Sequence, residues 1–299
     1  MKIGMIGLGK MGASLAENMS NHGVEVLGYD QNPGNPGLTH DKFTRVTNLD
    51  EMIAGLSKPR VVWLLVPAGD ITNSVIDEVS QKLDPGDLII DGGNSFFKDS
   101  IANYEKLKED NIYFLDCGTS GGMSGALNGG NFMIGGDQEA FKIVEPVFEK
   151  ISWEGGYLYT GKAGSGHYLK MIHNGIEYGM MAAIGEGFDV LEHSQYEYDY
   201  EAVANLWNNG SVIRSWLMEL AADAFKKDAK LEGIEGVMYS SGEGKWTVEE
   251  ALDLQVSIPV ITSSLMSRYR SLESDTFNGK VVSALRNSFG GHAMKKKEN

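Results

Sequence analysis

The sequence predicts a doubly wound α/β domain over residues 1–163, followed by an all-α domain over residues 164–299. In the first half, short apolar runs alternate with helical segments, a pattern typical of parallel βαβ units. From about residue 164 the strand patterns stop and long helical periodicities follow. A chain of 299 residues also suits two domains, since one domain usually has about 100–200 residues.

The first half supplies its elements in order. Strands are predicted over residues 2–7, 25–29, 60–66, 87–91, 112–116 and 131–134, and helices over 10–22, 70–82, 97–109 and 138–150. The runs 60–66 and 87–91 are almost continuously apolar, as expected for parallel strands that are covered on both faces. The sheet should therefore have helices on both sides.

The second half is predicted to be helical throughout. Its first helix covers residues 167–192 and is longer than most helices of globular proteins. Further helices are predicted over residues 200–208, 211–225, 248–254, 259–272 and 280–288. The glycine-rich stretch 155–166 is interpreted as the boundary between the two halves.

Charge and composition limit the possible partners. The chain has 26 Lys+Arg and 41 Asp+Glu, a net charge of −15, so we expect no nucleic-acid partner. No apolar run approaches the roughly 20 residues that span a bilayer, and the N-terminus does not resemble a signal peptide, so we expect no membrane association. The single cysteine, Cys117, suits a reducing cytoplasm, where we expect the protein to act.

Residues 7–12 read G-L-G-K-M-G, between the first predicted strand and the first helix. In this context the pattern is the fingerprint of a Rossmann-like dinucleotide site. Gly7 allows the tight turn, Gly9 lets the backbone approach a pyrophosphate, and Gly12 lets helix and strand pack closely. The helix N-terminus would face the phosphates. The alternative is a glycine-rich turn that binds nothing.

An acidic residue, Asp30, ends the second predicted strand. A carboxylate at this position accepts hydrogen bonds from the ribose hydroxyls of NAD and repels the 2′-phosphate of NADP, whose sites usually place an Arg nearby. No Lys or Arg follows Asp30 until Lys42. We therefore predict NAD as the cofactor; the alternative is that Asp30 only forms a turn.

One face of the predicted helix 167–192 has several polar side chains that are capable of chemistry. These are Lys170, His173, Asn174, Glu177 and Tyr178. At about 100° per residue, all of them lie within about 80° of Lys170, while apolar residues occupy much of the remaining surface. Lys170 and Glu177 would be a natural acid–base pair in a pocket. The alternative is a solvated helix face with ordinary i,i+3 and i,i+4 pairs.

Five segments together resemble the decarboxylating 6-phosphogluconate dehydrogenases. They are G-x-G-H-x-x-K-M-x-H-N-G-I-E-Y at 164–178, D-G-G-N-S at 91–95, G-T-S-G-G at 118–122, G-E-G-K-W-T at 242–247 and R-N-S-F-G-G-H at 286–292. The length is similar to that of the short, bacterial NAD-type form. One departure is Ser241, since the family often has a lysine at that position.

The resemblance implies NAD-linked oxidation and decarboxylation of 6-phosphogluconate to ribulose 5-phosphate and carbon dioxide, a reaction of the pentose phosphate pathway. Lys170 would take the proton from the third-carbon hydroxyl, and Glu177 would protonate the first carbon of the enediol. The reaction needs no metal, and we expect none.

The resemblance also implies the binding residues. The substrate would contact Asn94, Ser120, Gly121, Gly122, His173, Asn174, Tyr178, Arg268, Arg286 and His292. The last four of these would hold the phosphate. The cofactor would contact Gly7, Leu8, Gly9, Met11, Gly12, Asp30, Val66 and Asn94. A homo-oligomer is implied, in which the C-terminal tail with Arg286 and His292 completes the site of a neighbouring subunit.

Two other functions remain open on the sequence. Another β-hydroxyacid dehydrogenase, of the 3-hydroxyisobutyrate or tartronate semialdehyde type, would share the fingerprint, the S-G-G turn and the helix lysine. It would typically have N-N after the lysine and would lack the tail of residues 286–292. A non-catalytic dinucleotide-binding protein would keep residues 7–12 but would not need the polar face around Lys170.

Overall fold

The computed structural model describes residues 1–34 and 38–295. The chain forms two compact units, Met1–His173 and a second unit from Asn174 onward. A single long helix runs across this division, from Ser165 to Glu192. The domain bounds 1–163 and 164–299 stay a prediction.

The first unit contains one eight-stranded sheet in the order β3-β2-β1-β4-β5-β6-β7-β8. The strands are β1 Lys2–Ile6, β2 Glu25–Tyr29, β3 Phe43–Arg45, β4 Val61–Leu64, β5 Leu88–Asp91, β6 Tyr113–Ser120, β7 Gly130–Gly136 and β8 Ser152–Gly161. All neighbours are parallel except β6 and β7. Most strands therefore end at one edge of the sheet, where ligands of such folds bind.

Helices cover both faces of this sheet. They are α1 Lys10–Asn21, α2 Leu49–Ala54, α3 Asp70–Ser80, α4 Phe97–Glu109, α5 Gly122–Asn128 and α6 Gln138–Ile151. Alternate residues of β4 show the division: Val61 and Trp63 pack with α1, α5 and α6, whereas Val62 and Leu64 pack with α2, α3 and α4. The predicted doubly wound α/β class is confirmed.

Helices alone form the second unit over its described residues. After α7 Ser165–Glu192 come α8 Tyr200–Asn208, α9 Trp216–Lys227, α10 Gly242–Asp253, α11 Pro259–Ser271 and α12 Phe277–Gly290. A small core of Phe188, Tyr200, Ala204, Met218 and Phe225 joins α7, α8 and α9. In contrast, α12 buries none of its residues. The predicted all-α second half is confirmed.

Four elements of the structure were not predicted from the sequence. They are β3, α2, α5 and β8. The stretch 155–166, interpreted as a boundary, begins inside β8, the edge strand of the sheet. Edge position explains the error: β8 exposes Trp153 and Leu158, so it lacks the buried alternation that marks a strand in a sequence.

One predicted helix starts later than its periodicity suggested. It was expected from residue 211, but α9 begins at Trp216. Ser215 ends the preceding turn as the N-cap, since its Oγ accepts a hydrogen bond of 3.1 Å from the Met218 N–H. A capping serine therefore decides this helix start.

Candidate active site

The glycine-rich turn lies between β1 and α1, at the carboxyl edge of the sheet. Gly7 has φ +93°, a conformation that favours glycine. A side chain at Gly12 would collide with the Gly7 carbonyl oxygen, so the packing of α1 on β1 requires its absence. An added Cβ at Gly9 would meet no atom within 4 Å. Open space therefore lies over the turn where a pyrophosphate would approach.

Asp30 follows β2 and is bound to this turn through its carboxylate. The Leu8 N–H donates to Oδ2 at 2.6 Å, and the Asn32 N–H donates to Oδ1 at 2.7 Å. Because two backbone groups orient it, the carboxylate is held beside the fingerprint turn. This is the position that a ribose-binding acid requires.

A cation also lies near this position, and the sequence analysis missed it. Arg45 ends β3, which pairs in parallel with β2, and its Nη2 donates to the Asn32 carbonyl oxygen at 3.2 Å. Arg45 lies beyond Lys42 in the sequence, but the pairing of β3 with β2 brings it back to the loop after Asp30. A carboxylate and a guanidinium therefore both lie beside the loop after β2.

The other predicted cofactor residues surround the same edge. Leu8 is buried, Met11 packs half-buried against the core, and Val66 Cγ1 would lie 3.1 Å from a Cβ added at Gly7. Asn94 is exposed in the loop between β5 and α4. Nearby, burial raises the pKa of Asp99, and the negative charges of Asp70 and Asp91 raise it further.

At the end of β6 the structure brings three predicted site residues together. Lys170 is buried, with 8% of its surface exposed, and its Nζ lies 3.5 Å from His173 Nδ1. His173 Nε2 lies 3.2 Å from Ser120 Oγ. A continuous chain of polar atoms thus runs from the Lys170 amine through an imidazole to a hydroxyl.

Beside Ser120 the backbone turns sharply. Gly121 adopts the left-handed conformation with φ +106°, and Gly122 begins α5. The backbone N–H groups at such a helix start have no partner within the helix and can bind an anion. This arrangement is compatible with a substrate carboxylate, although α5 has only seven residues.

Lys170 lies directly against the sheet because β6 has a glycine beneath it. A Cβ added at Gly118 would overlap Lys170 Cβ and would lie 3.0 Å from Lys170 Cγ. Gly118 belongs to the G-T-S-G-G motif, which by itself does not indicate a contact with Lys170. The contact joins residues that are far apart in the chain, so no local pattern could reveal it.

In the second unit, a pocket of about 480 Å³ is lined by the predicted site residues of α7 that follow His173. Its lining consists of Asn174, Glu177, Tyr178, Met181, Tyr239, Ser240, Ser241 and Arg268. The guanidinium carbon of Arg268 lies 3.6 Å from the centre of the Tyr178 ring, a cation–π contact. Arg268 also donates to the Tyr239 carbonyl oxygen at 2.7 Å. The cation is therefore oriented within the pocket.

Ser241, which stands where the family often has lysine, supports the same pocket. Its N–H donates to the Tyr178 hydroxyl oxygen at 3.0 Å, and its Oγ lies 3.2 Å from that oxygen. Ser241 is also the residue before α10, so the positive end of this helix faces the pocket region. A phosphate here would meet Arg268, the Tyr178 hydroxyl and a helix N-terminus.

Arg286 and His292 do not line this pocket. Arg286 is exposed on α12, and His292 is exposed just after it, with its carbonyl oxygen bound by Asn287 Nδ2 at 2.9 Å. Over the described residues, no group of three or more His, Cys, Asp or Glu side chains could hold a metal ion. None of the helices that the structure describes is long and apolar enough to cross a membrane.

The turn over β1 and the acid after β2 place the chain among dinucleotide-binding oxidoreductases. Two family models then match nearly its full length: "NAD binding domain of 6-phosphogluconate dehydrogenase" over residues 2–161 and "6-phosphogluconate dehydrogenase, C-terminal domain" over residues 166–299. The chain belongs to the 6-phosphogluconate dehydrogenase family, which confirms the resemblance seen in its motifs.

Individual relatives agree with this assignment. "Putative 6-phosphogluconate dehydrogenase YqeC" of Bacillus subtilis is 60% identical over 298 residues, which are 99% of this chain and 100% of that protein. "6-phosphogluconate dehydrogenase, NAD(+)-dependent, decarboxylating" of Haloferax volcanii is 38% identical over 302 residues, covering 100% of both chains. The short length is thus shared with these two relatives.

Solved structures show the same fold. A Plasmodium falciparum 6-phosphogluconate dehydrogenase, described with NADP+ and with 6-phosphogluconate, has a TM-score of 0.83 at 30% identity and covers 100% of this chain and 67% of that one. A Mycobacterium tuberculosis 3-hydroxyisobutyrate dehydrogenase has a TM-score of 0.70 at 20% identity, over 95% of this chain and 99% of that one. The second likeness concerns the fold alone.

Proposed function

We propose that this protein oxidises and decarboxylates 6-phosphogluconate with NAD, releasing ribulose 5-phosphate and carbon dioxide. The observation that carries the proposal is the buried residue Lys170, whose Cβ and Cγ lie against Gly118 of β6 and whose Nζ lies 3.5 Å from His173 Nδ1. A base in this position suits the removal of a hydroxyl proton during hydride transfer. Family membership supplies the substrate class.

The residues of the first unit fit a dinucleotide. The open space over Gly9 suits a pyrophosphate, and the Asp30 carboxylate, held by two N–H groups, suits a ribose with a free 2′-hydroxyl. A bound nicotinamide would supply the acceptor for the hydride that leaves the third carbon of the substrate. Leu8, Met11, Val66 and Asn94 would border it.

The chemical steps assign protons to residues of this chain. Lys170 takes the proton of the third-carbon hydroxyl while the hydride leaves the same carbon. The bond between the first and second carbons of the resulting 3-keto acid then breaks, carbon dioxide leaves, and the electron pair passes into an enediol. Lys170, now protonated, donates to the carbonyl oxygen during this step. Glu177, two turns further along α7, protonates the first carbon of the product.

Different groups of residues would bind the carboxylate, the hydroxyls and the phosphate of the substrate. Ser120, Gly121 and Gly122 would hold the carboxylate, and His173 and Asn174 would hold hydroxyls. Tyr178 and Arg268 would hold the phosphate, since the pocket that they line has an oriented guanidinium. An Arg can bind a phosphate through two parallel hydrogen bonds.

The C-terminal residues are proposed to act on a neighbouring subunit. All residues of α12 lie outside the buried core, and its apolar side chains Val282, Leu285 and Phe289 are 55%, 58% and 77% exposed. Such an amphipathic helix is stabilised when a partner covers its apolar side. In a two-fold oligomer, Arg286 and His292 would then complete the phosphate site of the other subunit. We propose that this assembly works in the cytoplasm.

The direct test follows the absorbance of reduced nicotinamide with 6-phosphogluconate and either cofactor. We expect turnover with NAD, with a specificity constant at least tenfold above that for NADP, equivalent to about 1.4 kcal/mol. Lys170→Met should lower turnover by about 10²–10⁴-fold. Absence of turnover with 6-phosphogluconate, or near wild-type turnover of Lys170→Met, would overturn the proposal.

A second experiment tests the cofactor preference by changing the charge that Asp30 contributes beside Asn32. Asp30→Ser removes the carboxylate and leaves the Arg45 guanidinium near the loop, so the NAD-to-NADP ratio of specificity constants should fall. Asp41→Ser removes a carboxylate that is nearby in the sequence and contacts His40, and is the matched control. Equal ratios for both variants would contradict the role of Asp30.

A further inference from the structure

The start of α7 is tied to the sheet by a fully buried carboxylate. Asp116 of β6 is 0% exposed. Its Oδ1 accepts a hydrogen bond of 2.6 Å from the Gly164 N–H, and its Oδ2 accepts one of 2.8 Å from the His167 N–H. Asp116, although distant in the sequence, thus caps the N-terminus of α7.

The interaction has a clear physical basis. The first four N–H groups of a helix have no partner within it, and the helix dipole makes this end positive. A carboxylate that accepts two such N–H groups is a strong, charge-assisted acceptor. The two bonds on separate oxygens restrict both the position and the direction of the first turn of α7.

The surrounding packing leaves little space for the helix start to move. A Cβ added at Gly135 of β7 would lie 2.7 Å from Asp116 Oδ1 and 2.8 Å from the Gly166 nitrogen. A Cβ added at Gly166 would lie 2.6 Å from the Asp116 carbonyl oxygen. Backbone atoms of β6, β7 and α7 therefore meet directly around the carboxylate.

Lys170 lies one turn after the anchored N–H of His167. Its stem rests on Gly118, which is two residues after Asp116 and so on the same face of β6. The strand that binds the helix start is therefore also the strand against which the lysine side chain lies. We propose that Asp116 is a positioning residue that sets the place of the Lys170 amine by anchoring the first turn of α7 to β6.

This inference rests on the proposed function of Lys170 as the base, and its test compares two buried carboxylates. Asp87 is 1% exposed and also accepts two backbone N–H groups, from Arg60 at 2.7 Å and from Asp84 at 2.9 Å. It lies before β5, at the amino edge of the sheet, away from Lys170. Asp87→Asn is thus the matched control for Asp116→Asn.

Both variants of the full-length protein are assayed with 6-phosphogluconate and NAD at a temperature where circular dichroism shows them folded. Asp116→Asn should lower kcat by about 10–100-fold, since a misplacement of about 1 Å can cost about 10²-fold. Its KM for NAD should stay within about twofold of wild type. Asp87→Asn should keep kcat within about threefold. Equal losses of kcat in the two variants would overturn the proposal.

Hydrogen exchange measured by mass spectrometry gives a readout that does not depend on activity. The amides of residues 164–170 should exchange at least about tenfold faster in Asp116→Asn than in wild type, and no faster in Asp87→Asn. If wild-type protein does not oxidise 6-phosphogluconate, the proposed function fails while the exchange result still tests the anchor. Unchanged exchange of residues 164–170 in Asp116→Asn would refute the anchor.

If Asp116→Asn does not fold, Gly135→Ala provides a second route to the same carboxylate. Its added Cβ would lie 2.7 Å from Asp116 Oδ1 and 2.8 Å from the Gly166 nitrogen, so the contact between the carboxylate and the start of α7 must change while the charge remains. The proposal expects the same pattern, a lower kcat with unchanged KM for NAD and faster exchange of residues 164–170. Wild-type kcat in a folded Gly135→Ala protein would contradict it.

Discussion

An added methyl group at Gly118 should impair catalysis while leaving cofactor binding almost unchanged. An alanine Cβ at this place in β6 would overlap Lys170 Cβ and lie 3.0 Å from Lys170 Cγ. Carbon atoms in good contact are about 3.5–4.0 Å apart. The Cγ atom must therefore move by about 0.5–1 Å, and Cβ, which is nearer, must move further.

That displacement translates into a large kinetic effect. Lys170 is part of α7, whose start is held by two backbone N–H groups that donate to Asp116, so the helix resists moving as a unit. Because Cβ is bonded to the backbone, the collision should displace the helix backbone locally at Lys170 and should move the amine by about 1 Å. A misplacement of this size costs about 10²-fold in rate, which is about 2.7 kcal/mol at 1.36 kcal/mol for each factor of ten.

The assay measures kcat, KM for 6-phosphogluconate and the dissociation constant for NAD in Gly118→Ala. We expect kcat to fall by about 100-fold while NAD binding changes by less than about threefold. Gly4→Ala is the control, because its Cβ in β1 would crowd a flexible core side chain, with Met52 Sδ at 2.9 Å, rather than Lys170. If Gly118→Ala and Gly4→Ala have equal kcat values, Lys170 does not depend on the contact with Gly118.

Three further predictions concern other parts of the chain. Glu177→Gln should slow product formation by about 10²–10⁴-fold with unchanged NAD binding, as measured by turnover and by titration of cofactor fluorescence. Hydrogen bonding from Lys58 lowers the pKa of Asp84. The Asp84 carboxylate therefore stabilises the fold above the unfolded pKa of about 3.9, and this contribution is lost as pH falls through the folded pKa. The free energy of unfolding of Asp84→Asn in urea should therefore depend less steeply on pH than that of wild type below about pH 4. Mixing Arg286→Ala chains with Lys170→Met chains should restore activity in mixed oligomers, and no recovery despite proven mixing would mean that each subunit builds its own phosphate site.

How well a sequence predicts an element depends on how local the signal for that element is. The strands β1, β2, β4 and β5 and the helices α1, α4 and α8 were predicted within a few residues of their observed bounds. Their signal is the periodicity of burial, which a strand or helix covered by others imprints on neighbouring positions. Elements with weak burial escaped notice, because exposed β8 and three-residue β3 have no such periodicity.

Within the candidate site, too, the contacts between residues close together in the sequence were predictable, and those between distant residues were not. The grouping of Lys170 and His173 follows from their spacing on one helix, which the sequence contains directly. Their link to Ser120 was expected only through the family resemblance, since it joins positions 53 apart. The sequence alone offers no means to infer such a distance.

The sequence by itself determined the fold class, the fingerprint turn, the acid after β2 and the family, because each depends on residues close together or on motifs in a set order. Only the tertiary structure decided that Arg45 returns beside Asn32, that Asp116 anchors α7, and that Gly118 lies beneath Lys170. Those contacts arise from strand order and from the packing of α7 on β6. They are set by which strands pair and how closely backbones approach, and these are properties of the whole packed domain rather than of any segment of it.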